Sequence, residues 1–195
     1  MTHSLHRIGS IDALNEDYVV LACLAKDVNR EKPESRQKLI KIGEIMKKNS
    51  PINMIPEFTW KISPVLTAVY TNVESIRKTI LELKKEDLGI SIVISGLISE
   101  VKRVLNEVGL KMHTVHLSLG VFGKKELLPP QEKVLEITTM CGHHCVSSQS
   151  AEYYADLIKK GKISIEKAAE KLSQPCVCGI FNTKRAITIL HELTD

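Results

Sequence analysis

The sequence predicts an α/β fold: a mainly parallel or mixed sheet with helices over residues 1–126, then a small helical, cysteine-rich domain over residues 127–195. Three observations predict it. Short apolar runs alternate with amphipathic helix patterns through the first part, as in layered sheet-and-helix folds. The stretch "KKELLPPQEK" then reads as a hinge, because Pro129 and Pro130 deny the backbone a helical continuation. Beyond it the strand signals stop and only short helix patterns follow.

"DYVVLACLA" (Asp17 to Ala25) is a continuous apolar run, the pattern of a strand buried on both faces. "ESRQKLIKIGEIMKK" places Leu39, Ile42, Ile45 and Met46 at three- and four-residue steps, an amphipathic helix. Pro51, Pro56 and Pro64 mark irregular chain before a second strand, "VLTAVYT" from Val65 to Thr71. A helix over "NVESIRKTILELKKE" starts at Asn72 as N-cap, with Ile76, Ile80 and Leu83 on one face. "ISIVIS" (Ile90 to Ser95) is a third strand. The next helix is capped by Ser95 and stops at Gly109. "KMHTVHLSLGVFG" (Lys111 to Gly123) is a fourth strand. The alternation favours parallel neighbours, and a split β–α–β path with mixed directions is the main alternative. In the second part, "EKVLEITTM", "SSQSAEYYADLIKKG", "SIEKAAEKLS" and "NTKRAITILHEL" read as helices.

At 195 residues the chain is long enough for a real core, and 43% hydrophobic and 26% charged residues are ordinary values for a globular protein. The net charge of +4 is modest, and basic residues are interspersed with acidic ones. Aromatics at 4% argue against a stacking surface for single-stranded nucleic acid. A nucleic-acid partner is disfavoured. "MTHSLHRIGS" has no apolar core of a secretory signal, and "YVVLACLA" is far too short to span a bilayer, so no membrane partner and a cytoplasmic location are expected. Neither glycine-rich nucleotide fingerprint is present, and no Ser/His/Asp set identifies a catalytic residue.

Four of the five cysteines fall in two tight pairs, Cys141 with Cys145 and Cys176 with Cys178. In a reducing compartment, such clusters point to metal binding or redox work before structural disulfides. Residues four apart on a helix share a face, so Cys141 and Cys145 are expected to aim at one point at the end of the helix from Glu132. Cys176 and Cys178 sit in a turn between Pro175 and Gly179, next to the N-terminus of the helix from Asn182, whose free amides stabilise thiolates.

The expected cofactor is an iron–sulfur cluster of the 4Fe–4S type, held by Cys141, Cys145, Cys176 and Cys178. Zinc is the alternative, with His143 or His144 replacing one cysteine. The Cys-x2-Cys knuckle of a zinc ribbon is absent, which favours the cluster. Redox-active thiols or a disulfide form the third option. Three cysteine ligands would leave one iron open to a substrate, and four would make an electron carrier or a structural centre. His143, His144 and Asn182 suit either a substrate site or a hydrogen-bonding shell. The corresponding function is redox or sulfur-related chemistry in anaerobic metabolism, with a redox or protein-complex partner. An alternative is a metal- or redox-sensing helix-turn-helix regulator, with Thr183, Lys184 and Arg185 at the start of the reading helix. A zinc-stabilised structural or assembly protein is another. Cys23, inside an apolar strand, is expected to be a buried structural thiol. His3 and His6, beside Arg7, would reach the cysteines only if the terminus folded over them, and a mobile terminus is the favoured reading. His113 and His116, three apart on a strand, would point to opposite faces.

Overall fold

The computed structural model describes residues 7–112, 126, 128–143 and 145–195. A single helical turn, α1 (Ile11–Leu14), leads into β1 (Tyr18–Cys23), one of the two inner strands of a four-stranded sheet. Tyr18 pairs with Tyr70 on β3 (Val65–Tyr70), and Val19 pairs with Ser95 on β4 (Ser91–Ser95). The two-residue β2 (Asn53–Met54) closes the other edge against β3. The sheet order is β2-β3-β1-β4, and every neighbouring pair is antiparallel.

The expected mainly parallel or mixed sheet is therefore corrected. β3 and β4 do run in the same direction, joined by α3 (Val73–Glu86), but β1 lies between them and opposes both. The order of strands and helices along the chain is the same for this split path as for a parallel one. Only the insertion of β1 separates them, and hydrophobic periodicity carries no record of that.

Helices cover both faces of the sheet. On one face, Tyr18, Val20, Ala22, Leu66, Ala68 and Tyr70 pack against α2 (Ser35–Lys48), α3 and α4 (Ile98–Glu107), through Leu39, Ile42, Met46, Ile76, Ile80, Val101 and Val104. The opposite face places Val19 and Val69 beneath α5 (Glu132–Thr139), α6 (Ser148–Lys159), α7 (Ile165–Ser173) and α8 (Thr183–Thr194). Ile137, Phe181 and Leu190 are buried in that second core. This double cover explains why β1 reads as apolar without alternation although its neighbours are antiparallel.

Local signals set most helix starts. The side chains of Asn72, Ser147, Ser164 and Asn182 accept the first free amides of α3, α6, α7 and α8, each worth about 1 kcal/mol. Ser95 is not a cap: it ends β4, and α4 starts after Leu97 without a side-chain cap. Cys23 is half-buried rather than fully buried, on the sheet face shared with Val19. The strand expected to Gly123, with His113 and His116, lies outside the described residues beyond Met112. Among the described residues no helix is long and apolar enough to cross a membrane.

A buried ion-pair network ties the N-terminal residues to the second helical layer. Asp17, just before β1, is fully buried and accepts from Arg7 Nη1, from Arg185 Nη1 at 2.8 Å and from Asn182 Nδ2 at 3.2 Å. Arg185 Nη2 also donates to Glu136 Oε2 at 2.9 Å and to the Ile8 carbonyl. Gly9 crosses directly over this pair: a Cβ there would lie 2.2 Å from Arg185 Nη2, and its φ of +151° suits glycine.

Burial alone raises the pKa of Asp17, but the guanidinium groups of Arg7 and Arg185 outweigh it and hold the carboxyl below its ordinary 3.8. A depressed carboxyl contributes stability that is fully present above 3.8 and lost as pH falls through the lower, folded value. Asp17→Asn leaves the buried Arg7 guanidinium without a carboxylate and Arg185 with Glu136 alone. It should cost about 3–5 kcal/mol and remove this acid-side component. Urea unfolding of both proteins across the acid range measures the loss and the change in its pH dependence.

Candidate metal centre

Both cysteine pairs lie in joints between helices of the second layer. α5 ends at Thr139, so Cys141 and Cys145 belong to the α5–α6 connection. The expected stacking of the two on one helix face does not occur. Cys141 is buried at the edge of the core, and Cys145 is exposed with its sulfur 3.9 Å from the His143 carbonyl. Cys176 and Cys178 occupy the α7–α8 connection, in the turn expected between Pro175 and Gly179. The Gly179 amide closes that turn by donating to the Cys176 carbonyl at 2.9 Å.

The second joint is pressed onto the sheet. A Cβ at Gly179 would lie 2.0 Å from the carbonyl carbon of Met54 on β2, and the residue's φ is +67°. Glycine is therefore required twice over, for the close approach and for the left-handed backbone. Thr67 on β3 donates its hydroxyl to the Cys178 carbonyl, and Asn53 Nδ2 donates to the Phe181 carbonyl at 3.1 Å. The first joint is held from the other side: Arg7 Nη2 donates to the Met140 carbonyl at 3.2 Å and to the Ile180 carbonyl.

These anchors bring the thiols together. Cys141 lies near enough to influence the ionisation of both Cys145 and Cys176, and the sulfurs of Cys176 and Cys178 are 3.6 Å apart. All five cysteines are free thiols. Beyond Cys178, His143 Nδ1 lies 3.6 Å from its sulfur. The arrangement is a row of thiols, not a cage. Among the described residues no three His, Cys, Asp or Glu side chains stand ready to hold a metal ion as they are placed.

The row has an electrostatic direction. Cys141 is pushed up by its contact with the Cys176 thiol and by burial. Cys145 is pushed up by burial and by Cys141. The Cys141 thiol favours the Cys176 thiolate, but Cys178 and burial outweigh it and Cys176 is also raised. Cys178 alone is lowered: the Cys176 thiol donates to it, against burial, with help from the Ile180 amide. That amide belongs to the turn ahead of α8 and is not one of the helix-end amides expected to favour the thiolate.

Asn182 is fully buried and serves as the cap of α8, its amide group donating to the Glu16 carbonyl at 2.8 Å. His3, His6 and His144 lie outside the described residues. Arg7 is the contributor that sequence reasoning placed in a mobile terminus; residue 7 instead lies over the cysteine joints, the option it had disfavoured, although it binds carbonyls and Asp17 there. The buried pairing of Arg185 with Asp17 and Glu136 was missed. The available signal was indirect: Arg185 shares a face of α8 with Ile189, and Glu136 is flanked by core residues of α5, so opposite charges sit at inward positions of two helices. That geometry also counts against the DNA-reading alternative. Arg185 is 4% exposed and paired twice over, and Lys184 pairs with Glu16 at 3.3 Å.

Two outcomes check this geometry. In metal-stripped protein, alkylation of Cys178 should follow a pH profile centred below the ordinary thiol value of 9.0, and that of Cys145 one centred above it. Peptide mass spectrometry after timed labelling separates the two. Gly179→Ala should cost about 2 kcal/mol or more through backbone strain and overpacking, read as a shift in the urea midpoint. Among known proteins, no family model, no curated protein and no solved structure matches this chain.

Proposed function

We propose that Cys141, Cys145, Cys176 and Cys178 together hold one thiophilic metal centre, an iron–sulfur cluster, in a protein with a redox or sulfur-related role. The observation that carries this reading is the meeting of two sequence-distant cysteine pairs in one row of free thiols. Four soft sulfur donors at one place fit a cluster better than any oxygen-preferring ion. Loading requires the sulfurs to turn from a row to a cage and lose their protons, so metal uptake releases protons and is coupled to local order. A bound cluster supplies one-electron transfer. The chain's own residues set its access: Cys145 is exposed, and Val177, between the second pair, is 71% exposed. A redox partner would approach over this side.

A second reading, a single zinc ion, is favoured by two separations. The Cys176–Cys178 sulfurs and the Cys178 sulfur to His143 Nδ1 each measure 3.6 Å. A tetrahedral zinc site with bonds of about 2.3 Å to sulfur and about 2.0 Å to imidazole has edges of about 3.8 and 3.5 Å, each close to the separation found. In this reading the centre is a staple for the helical layer, and the protein is structural or assembles with others.

Purification without oxygen, followed by iron, sulfide and zinc analysis and an absorption spectrum, separates the readings. Iron and sulfide in similar amounts with broad visible absorption is the expected result. Zinc without sulfide selects the second reading, and protein free of all three ends both. Cys145→Ser or Cys176→Ser should lower the metal content and loosen hydrogen-exchange protection between Glu132 and Leu193. Cys23→Ser should change neither.

A further inference from the structure

We infer that Arg7 is the positioning residue of the cysteine site, a clamp that sets the distance between the two thiol pairs. It deepens the metal reading, since that centre is what the clamp would shape, but it stands on backbone contacts alone. One guanidinium nitrogen, Nη2, donates to both the Met140 and the Ile180 carbonyls. Met140 immediately precedes Cys141, and Ile180 follows Cys178 by two residues. The other terminal nitrogen, Nη1, is held by the buried carboxylate of Asp17. The Arg7 side chain is 4% exposed, so water does not compete for these contacts.

Among the described residues, Arg7 is the one side chain from outside the two joints that hydrogen-bonds to the backbone beside both pairs; within the joints, His143 Nδ1 also approaches the Cys178 sulfur. Thr67 and Asn53 hold only the second joint, and they hold it to the sheet. Nothing in the local sequence of either pair fixes its distance from the other, because each pair lies in an irregular connection between helices. Arg7 supplies that constraint from a third part of the chain. A guanidinium suits the task, because its planar fork reaches a carboxylate on one side and carbonyls on the other. Lysine could keep the charge next to Asp17 but has one nitrogen for three acceptors.

The test uses the full chain with Arg7→Lys, Arg7→Met and, as a control, Leu39→Ala. Leu39 lies in the opposite helical layer, so its truncation weakens the fold without touching the cysteine joints. Metal-free protein is treated with dibromobimane, which fluoresces only after alkylating two neighbouring thiols. Cross-linked peptides are then mapped by mass spectrometry. Wild type and Leu39→Ala should give links between the Cys141/Cys145 and Cys176/Cys178 peptides. Both Arg7 variants should lose most of these and keep the link within the second pair. In parallel, titration with Co2+ should show affinity falling by about tenfold or more in the Arg7 variants, the factor expected when hydrogen bonds to a charged group are lost.

Inter-joint links undiminished in Arg7→Lys and Arg7→Met would overturn the inference, as would their absence in wild type. An Arg7→Met chain that failed to fold would leave Arg7→Lys to decide, since it keeps the buried charge. Lost links in the variants with no metal bound by wild type would uphold the clamp and end the metal reading. Cobalt bound equally by all four proteins, with unchanged links, would end the clamp and leave the metal reading standing.

Discussion

Asp17 is a carboxylate with no exposed side-chain surface, surrounded by two guanidinium groups and an amide. A carboxylate in that position is tolerated only because its partners are fixed, and its partners come from the two ends of the described chain. Arg7 belongs to the segment before the sheet, whereas Asn182 and Arg185 belong to the last helix. Glu136 adds α5 to the same network. The contacts that satisfy one buried charge therefore dock the N-terminal segment, β1, α5 and α8 together. The arrangement has a cost: Arg7 Nε and Arg185 Nε are buried and find no acceptor among the described residues.

The sheet imposes the second constraint. Its strands are short, and both faces carry large apolar side chains, so each face needs a helical cover. α2, α3 and α4 cover one face directly from their positions between and after the strands. The other face is covered by α5 to α8. The cysteine joints are connections within that second layer, and the one between α7 and α8 runs across β2 and β3. Its turn therefore rests on the sheet at Gly179 and Thr67 instead of projecting into solvent.

Much of this was legible in the sequence, and the limits have physical causes. β1, α2, β3, α3 and β4 are marked by apolar spacing over five or more residues, long enough for a period to show. The two residues of β2 lie in a proline-marked stretch and are too few for any period. Strand direction was misread because a helix can join two strands whether or not a third is inserted between them. At the cysteines, residue type was informative and spacing was not. A helical geometry was expected for Cys141 and Cys145, but α5 stops two residues before the first of them, and long-range contacts then decide where each sulfur points. For a related reason, Arg7 over the cysteines was only the disfavoured option. One arginine in a short polar segment looks the same whether it faces solvent or fills a slot made by residues more than a hundred positions away.

The same facts explain why the two thiol pairs lie near each other. The joints differ in length and lie between different helices. Had each been fixed by its own helix, their separation would follow from helix packing, with its tolerance of an ångström or more. Here the backbone beside each pair is caught by one guanidinium, and the second pair is also caught by β3. The 3.6 Å approach of Cys176 and Cys178 lies within that second, doubly held joint. The polar network around Asp17 and the sulfur row are thus adjacent parts of one device. The network holds the joints, the joints bring the thiols into line, and the lowered pKa of Cys178 marks the end of the row at which negative charge collects first. A cationic metal or an electrophile would meet its first strong ligand there, on the half-exposed side of the site.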